Sequence, residues 1–193
     1  GSGMEQISDV EGGIDGFTYS PDGKKVMYLK GVKSVESAAD IYTDLPKATG
    51  RIVDDLMYKH WDHWVENVPH TFYATIENGQ LANHIDLLEG EPYEAPLLPF
   101  GGTEAIAWSP DSKTIVYTSK KLTGKEYAES TNSDLYLYSL EDRTTENITE
   151  GMMGYDVNPQ FSPDGKQIAW LSMERDGYEA DKNRLFVMDM STK

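Results

Sequence analysis

Ser20-Pro21-Asp22-Gly23 returns in this chain as Ser109-Pro110-Asp111-Ser112 and again as Ser162-Pro163-Asp164-Gly165. The likeness extends outward from each copy. An aromatic residue precedes each Ser (Tyr19, Trp108, Phe161), and a Lys follows each turn (Lys24, Lys113, Lys166). Beyond the turn come Val26, Ile115 and Ile168, then Tyr28, Tyr117 and Trp170, at matching offsets. Pro presets φ near −65° at the first corner, Asp bonds local backbone N–H groups, and Gly supplies a left-handed residue, so each copy predicts a β-hairpin. Apolar and polar residues alternate on either side, as they do in half-buried strands. Ser112 stands where the other copies have Gly. A left-handed Ser costs about 1 kcal/mol, which predicts the least regular of the three turns.

A second element follows each turn. Asp40-Ile41-Tyr42, Asp134-Leu135-Tyr136 and Arg184-Leu185-Phe186 each open a further predicted strand: Ile41 to Leu45, Leu135 to Leu140 and Leu185 to Met190. After Glu141-Asp142-Arg143 another strand, Thr144 to Thr149, completes a unit of four antiparallel strands, which is one propeller blade. Blade-sized repeats run at about 40–50 residues. The interval from Ser20 to Ser109 therefore predicts an intervening blade without its turn motif, carrying Thr71 to Ile76, the hairpin pair Asn78-Gly79 and a return strand from His84 to Leu88. The expected fold is all-β, a partial β-propeller of about four four-stranded antiparallel blades at 13–55, 56–100, 101–150 and 151–193, cut from a larger ring. The expected core is Phe17, Tyr19, Val26, Tyr28, Trp108, Ile115, Tyr117, Leu135, Phe161, Ile168, Trp170, Leu185 and Val187. Gly1-Ser2-Gly3 ahead of Met4 reads as a cloning scar.

Composition narrows the function classes. With 33 Asp plus Glu against 17 Lys plus Arg, the formal charge is −16, which argues against nucleic acid and anionic membrane as partners. The chain has no Cys, so thiolate catalysis and Cys-ligated metal are excluded. An aromatic content of 11% argues against wholesale disorder despite the charge. No Gly-x-Ser-x-Gly nucleophile elbow occurs, so no residue of this chain is expected to be catalytic. Neither cofactor nor metal is expected. His60-Trp61-Asp62-His63-Trp64 carries two His, but no His-Glu-x-x-His pattern supports a metal site, and a packed aromatic segment is the favoured reading. Asp-box, Trp-Asp repeat and EF-hand patterns do not fit the turns.

The stretches between the turns carry a resemblance. Ile41-Tyr42-Thr43-Asp44-Leu45-Pro46, the run from Asp54 to Trp64, and Pro99-Phe100-Gly101-Gly102 are three of them. Lys125 to Asn132, Gly154-Tyr155-Asp156 and Arg175 to Lys182 are the others. Together with the turns they resemble the propeller of prolyl oligopeptidase-family serine peptidases, of the bacterial dipeptidyl peptidase V and acylaminoacyl-peptidase kind. The resemblance implies a non-catalytic propeller that caps a C-terminal α/β-hydrolase domain and filters peptide substrates, in a periplasmic or secreted enzyme. The alternative is a TolB-like propeller acting as a protein–protein binding module. Release of dipeptides requires recognition of a free α-ammonium, for which a carboxylate is the natural partner. The candidate substrate-binding residues are Glu174, Glu179, Asp181 and Tyr178 of the acidic loop, with Trp61 and Trp64. A solvated loop holding internal ion pairs to Arg175, Lys182 and Arg184 is the competing reading. Ser119 to Asn132 is a long polar excursion of the sort that carries function on a rigid scaffold. Open sheet edges predict self-association.

Overall fold

Three hairpins built on the Ser-Pro-Asp turns organise the computed structural model, which describes residues 3–193. Gly1 and Ser2, the first two residues of the expected cloning scar, lie outside the described residues. The first hairpin joins β1 (Gly16–Tyr19) to β2 (Lys25–Lys33), and its sheet continues through β5 (Asn67–Glu77) to β6 (Gln80–Asp86). The second joins β7 (Ile106–Trp108) to β8 (Thr114–Ser119), continuing through β9 (Asp134–Ser139) to β10 (Thr145–Asn147). The third joins β11 (Asp156–Phe161) to β12 (Gln167–Ser172) and β13 (Arg184–Asp189). A small ribbon of β3 (Lys59–His60) and β4 (His63–Trp64) stands apart. All pairings between these strands are antiparallel, so the architecture is the expected all-β stack of propeller blades.

The turns are alike in detail. In each, the Ser Oγ donates to the Asp carboxylate two residues on, at 2.6, 2.6 and 2.7 Å, and that carboxylate accepts the N–H of the following Lys. Ser112 is left-handed, with φ at 62°, yet its N–H bonds Ser109 O at the 2.9 Å seen in the Gly turns, so the irregularity expected of it is absent. Its hydroxyl accepts the N–H of Asp22 at 3.1 Å, tying the second hairpin to the first. That contact offsets the cost of the left-handed Ser.

The grouping of strands differs from expectation between residues 34 and 100. Ile41 to Leu45 is not a strand. Asp40 instead closes a capping box with Ser37 at the start of α1 (Ala38–Ile41). β2 pairs directly with β5 over nine residue pairs, from Lys25↔Thr75 to Lys33↔Asn67. The strands assigned by sequence to a separate blade are thus the outer half of the first blade, and residues 34–66 are an excursion between its second and third strands.

Blade packing explains which expected core residues are buried. Between the first two blades lie Met27, Leu29, Tyr73, Trp108, Ile115 and Tyr117. Between the second and third lie Val116, Leu135, Leu137, Ile168 and Trp170. Each turn-motif face therefore looks back at the preceding blade. Leu135 and Leu137 are covered by the third blade, whereas their counterparts Leu185 and Val187 are 71% and 57% exposed on its far face. Phe17 and Tyr19, at the near face of the first blade, are exposed for the same reason: among the described residues no sheet packs there. Val26 and Tyr28 on that face are buried, Tyr28 by stacking on Phe72 with ring centroids 5.3 Å apart. Phe161 is half-buried.

Strand direction sorts the connections. The Ser-Pro-Asp turns and the β5–β6 and β9–β10 turns emerge at one end of the blades. The 34–66 excursion, the β8–β9 and β12–β13 loops and the linkers between blades emerge at the other. Long loops on a rigid scaffold gather at that second end, and so does the candidate site.

Candidate functional site

A cleft of about 480 Å³ opens at the long-loop end. The 34–66 excursion forms one wall, with Ile52, Val53, Leu56 and Met57. Tyr93 and Glu94, from the linker between the first two blades, line it as well. The opposite wall is Lys120 with α2 (Gly124–Glu129), which carries Tyr127.

Glu94 is the unusual group. It is 4% exposed, and the Tyr127 hydroxyl donates to its carboxylate. Burial pushes its carboxyl up to about 7, outweighing the opposing pull of the Tyr127 hydroxyl, the Leu98 backbone N–H and the Lys120 charge. Lys120 is occupied elsewhere. Its ammonium donates to the carbonyls of Tyr127, at 2.6 Å, and of Ser130, and it lies 4.1 Å from the Tyr127 ring centroid. Burial lowers the pKa of Lys120, against the raising influence of Glu94, Asp176 and Glu179. Burial, and then the Lys120 charge, also lower that of His60, which packs edge-on to Tyr127. A buried carboxyl raised toward neutrality in a concave site makes Glu94 a candidate functional group.

The residues singled out from sequence all reach this end of the blades without converging in the cleft. Trp61 is 73% exposed at the tip of the β3–β4 ribbon, edge-on to Phe100. Trp64 lies between Arg51 and Lys59, 4.3 and 4.4 Å from its centroid. Asp181 accepts the N–H groups of Glu174, Arg175 and Lys182 together with the Arg175 side chain, which holds its carboxyl far below the usual range. Glu174 pairs with Arg184 at 2.5 Å, and Arg175 lies 4.1 Å from the centroid of Tyr178. Asp181, Glu174 and Tyr178 thus make the internal contacts of the competing loop reading. Glu179 is exposed and has no hydrogen-bond partner among the described residues. Its negative charge still reaches Lys120. Asp176 joins this loop to the 119–132 excursion by accepting from Ser130 Oγ and Thr131 N, both at 2.7 Å. Gly154 sits beneath, where a Cβ would fall 1.5 Å from Met173 O. His63 meets only Asp62, and no group of three or more His, Cys, Asp or Glu able to hold a metal exists among the described residues. No helix of the described residues is long and apolar enough to cross a membrane.

Glu94, Lys120 and His60 were not apparent from the sequence as a group. The one available signal for Glu94 was a carboxylate inside Glu91-Pro92-Tyr93-Glu94-Ala95-Pro96-Leu97, a linker otherwise rich in apolar residues.

Blade topology and a loop-lined cleft at one end define a partial β-propeller. Pyrococcus horikoshii acylaminoacyl peptidase superposes on 96% of this chain, over 25% of its own, with a TM-score of 0.57 and 12% identity. A puromycin-hydrolysing peptidase of Mycobacterium tuberculosis does so over 93% and 21%, with a TM-score of 0.52 and 14% identity. More particularly, the chain is homologous to dipeptidyl-peptidase 5. It is 58% identical over 181 residues to the Porphyromonas gingivalis protein, covering 94% of this chain and 26% of that one. It is 52% identical over 188 residues to the Porphyromonas endodontalis protein, covering 97% and 27%. The chain spans about a quarter of the length of these relatives. No family model matches it.

Proposed function

We propose that the chain is the non-catalytic propeller portion of a serine dipeptidyl peptidase, in which it caps the active site of an α/β-hydrolase domain and filters peptide substrates by size. The observation that carries this reading is the close identity to two proteins named dipeptidyl-peptidase 5 across nearly all of this chain. The gathering of every long loop at the cleft end supports it, because a cap needs one end shaped by loops and one end left plain. Chemistry is assigned to the partner domain: a Ser nucleophile, a His base and an oxyanion hole. A periplasmic or secreted location belongs to the same reading, as does self-association through open sheet edges. Sedimentation of the chain as a monomer at all concentrations would remove the latter.

The test uses the longer protein of which this reading makes the chain a part. The longer protein is expected to react with a fluorophosphonate probe and to release the fluorophore from dipeptidyl-coumarin substrates, while the 193-residue chain does neither. Shortening residues 44–58 in the longer protein is expected to raise kcat/KM for peptides of ten or more residues relative to tetrapeptides. A longer protein that the probe leaves unlabelled overturns the peptidase reading. An unchanged length preference overturns the filter.

A further inference from the structure

Each blade presents two unlike faces, and the chain uses the match between them twice. On the near face a stacked aromatic pair bridges the second and third strands: Tyr28–Phe72, Tyr117–Tyr136 and Trp170–Phe186, with ring centroids 5.3, 5.5 and 5.6 Å apart. On the far face the third strand carries Thr71 and Tyr73, Leu135 and Leu137, or Leu185 and Val187 at equivalent register positions. Tyr117 and Tyr136 of the second blade cluster with Tyr73 of the first, and Trp170 of the third clusters with Leu135 and Leu137. One half of this interface is left at each end of the stack. Leu185 and Val187 are exposed where Leu135 and Leu137 are buried. Phe17 and Tyr19 are 61% and 47% exposed, whereas Ile106 and Trp108, at the same positions of the second blade, are buried.

The near face of the first blade is only partly open, because the leading segment of the chain closes the rest. The Leu81 N–H on β6 donates to Ile7 O at 2.8 Å, and the Asp15 N–H, just ahead of β1, donates to Leu29 O at 3.0 Å. The sheet order is β1-β2-β5-β6, so residues 8–14 cross the sheet from one side to the other. They cross on the near face, since a Cβ at Gly12 would lie 3.8 Å from Lys30 Cε, and Lys30 shares a face with Tyr28. Val26, Tyr28 and Ala74 are buried there although no sheet packs on them. Between its anchors, the one backbone hydrogen bond of this segment among the described residues is its own turn, from Gly13 N–H to Val10 O. Its apolar residues Val10 and Ile14 are only half-buried.

We infer that the far face of the third blade docks on the near face of the first blade of a second copy, in the geometry the chain repeats within itself, and that residues 8–14 are a strap that lifts to admit it. Rings of this architecture close with about four to eight blades. One copy supplies three and two supply six, so two copies cover both open faces of each other. The contact is heterologous, because the two surfaces differ. It gives the self-association of the reading above a surface other than the sheet edges, and it stands without the peptidase. The charge of −16 opposes the approach of a second copy.

Sedimentation equilibrium of the full chain tests the docking. The unaltered chain is expected to dimerise, more tightly in about 0.5 M than in about 0.05 M NaCl, because salt screens the repulsion. Leu185→Asp and Tyr19→Asp each place a charge in the apolar contact and are expected to weaken dimerisation at least tenfold. Both positions are exposed in the single chain, so the melting midpoint is expected to stay unchanged. Mixed in equal amounts, the two variants are expected to pair again, since the Leu185→Asp chain keeps its near face and the Tyr19→Asp chain its far face. Val10→Ser with Ile14→Ser loosens the strap and is expected to tighten dimerisation at least threefold by raising the fraction of chains that are open. Association that survives both single substitutions overturns the docking and belongs to the open sheet edges, so the two readings fail separately. Variants that do not pair on mixing, or a strap-loosened chain that stays monomeric in high salt, overturn it as well. Unchanged association in the strap variant removes the strap.

Discussion

Trp170→Ala is expected to remove about 3–5 kcal/mol of stability, the range for truncating a large buried aromatic. For a chain of this size that lowers the melting midpoint by roughly 10 °C. Trp170 is 3% exposed, fills the interface between the second and third blades, and stacks on Phe186 at 5.6 Å. Its indole N–H also donates to Asp156 Oδ1 at 3.0 Å. Asp156 is fully buried and its other oxygen has no partner among the described residues, so truncation leaves a cavity and an unpaired carboxyl together. Trp170→Phe separates the two effects, since it keeps the stacking and most of the volume. It is expected to cost about 1–3 kcal/mol, the penalty for stranding a buried acceptor. Urea unfolding followed by circular dichroism measures both. A loss below 1 kcal/mol for the alanine variant would show that the third blade is not packed on the second as described.

Much of the fold was legible because its signals are local. The Ser-Pro-Asp turn needs only four residues to form its bonds, and all three copies form them alike. The pairing of Leu135 with Leu185 as equivalents was also legible, but burial belongs to the neighbour rather than to the residue. Leu135 has a blade against it, whereas Leu185 has none among the described residues. The boundary error at Asp40-Ile41-Tyr42 has a specific cause. That tripeptide matches Asp134-Leu135-Tyr136 in type, while Ser37 three residues before it turns Asp40 into a helix cap. The true counterpart, His70-Thr71-Phe72, lies beyond the excursion, where Phe72 pairs with Tyr28 as Tyr136 pairs with Tyr117. The 119–132 loop and the two Trp residues fall at the cleft end of the blades. Glu94 did not stand out, because its burial is made by Tyr127, 33 residues away in sequence.

Between pH 4 and pH 8 the chain is expected to lose stability as the pH rises, and Asp156 is the main cause. Burial pushes its carboxyl up to about 6, against the pull of the neighbouring Ser172 and Thr149 hydroxyls and the Trp170 N–H, and the nearby Asp134 charge adds to the rise. The folded state therefore holds a proton that the unfolded chain has already released at its ordinary carboxylate pKa. A carboxyl raised on folding contributes fully below the unfolded pKa, near 4, and its contribution is lost as the pH climbs through the folded value. A two-unit shift corresponds to about 2–3 kcal/mol between those limits. Glu94, pushed up to about 7, adds a second step at higher pH in the same direction. Asp156→Asn keeps an oxygen for the Trp170 N–H and cannot ionise. Its melting midpoint is expected to match the unaltered chain near pH 3.5 and to exceed it by roughly 5 °C at pH 8. Glu94→Gln should remove only the later part of the decline, and the double variant should flatten both. Melting curves that run parallel for the unaltered chain and Asp156→Asn across this range would place the ionisation elsewhere. A gap that opens between pH 4 and pH 6 assigns it to the carboxyl locked between the second and third blades.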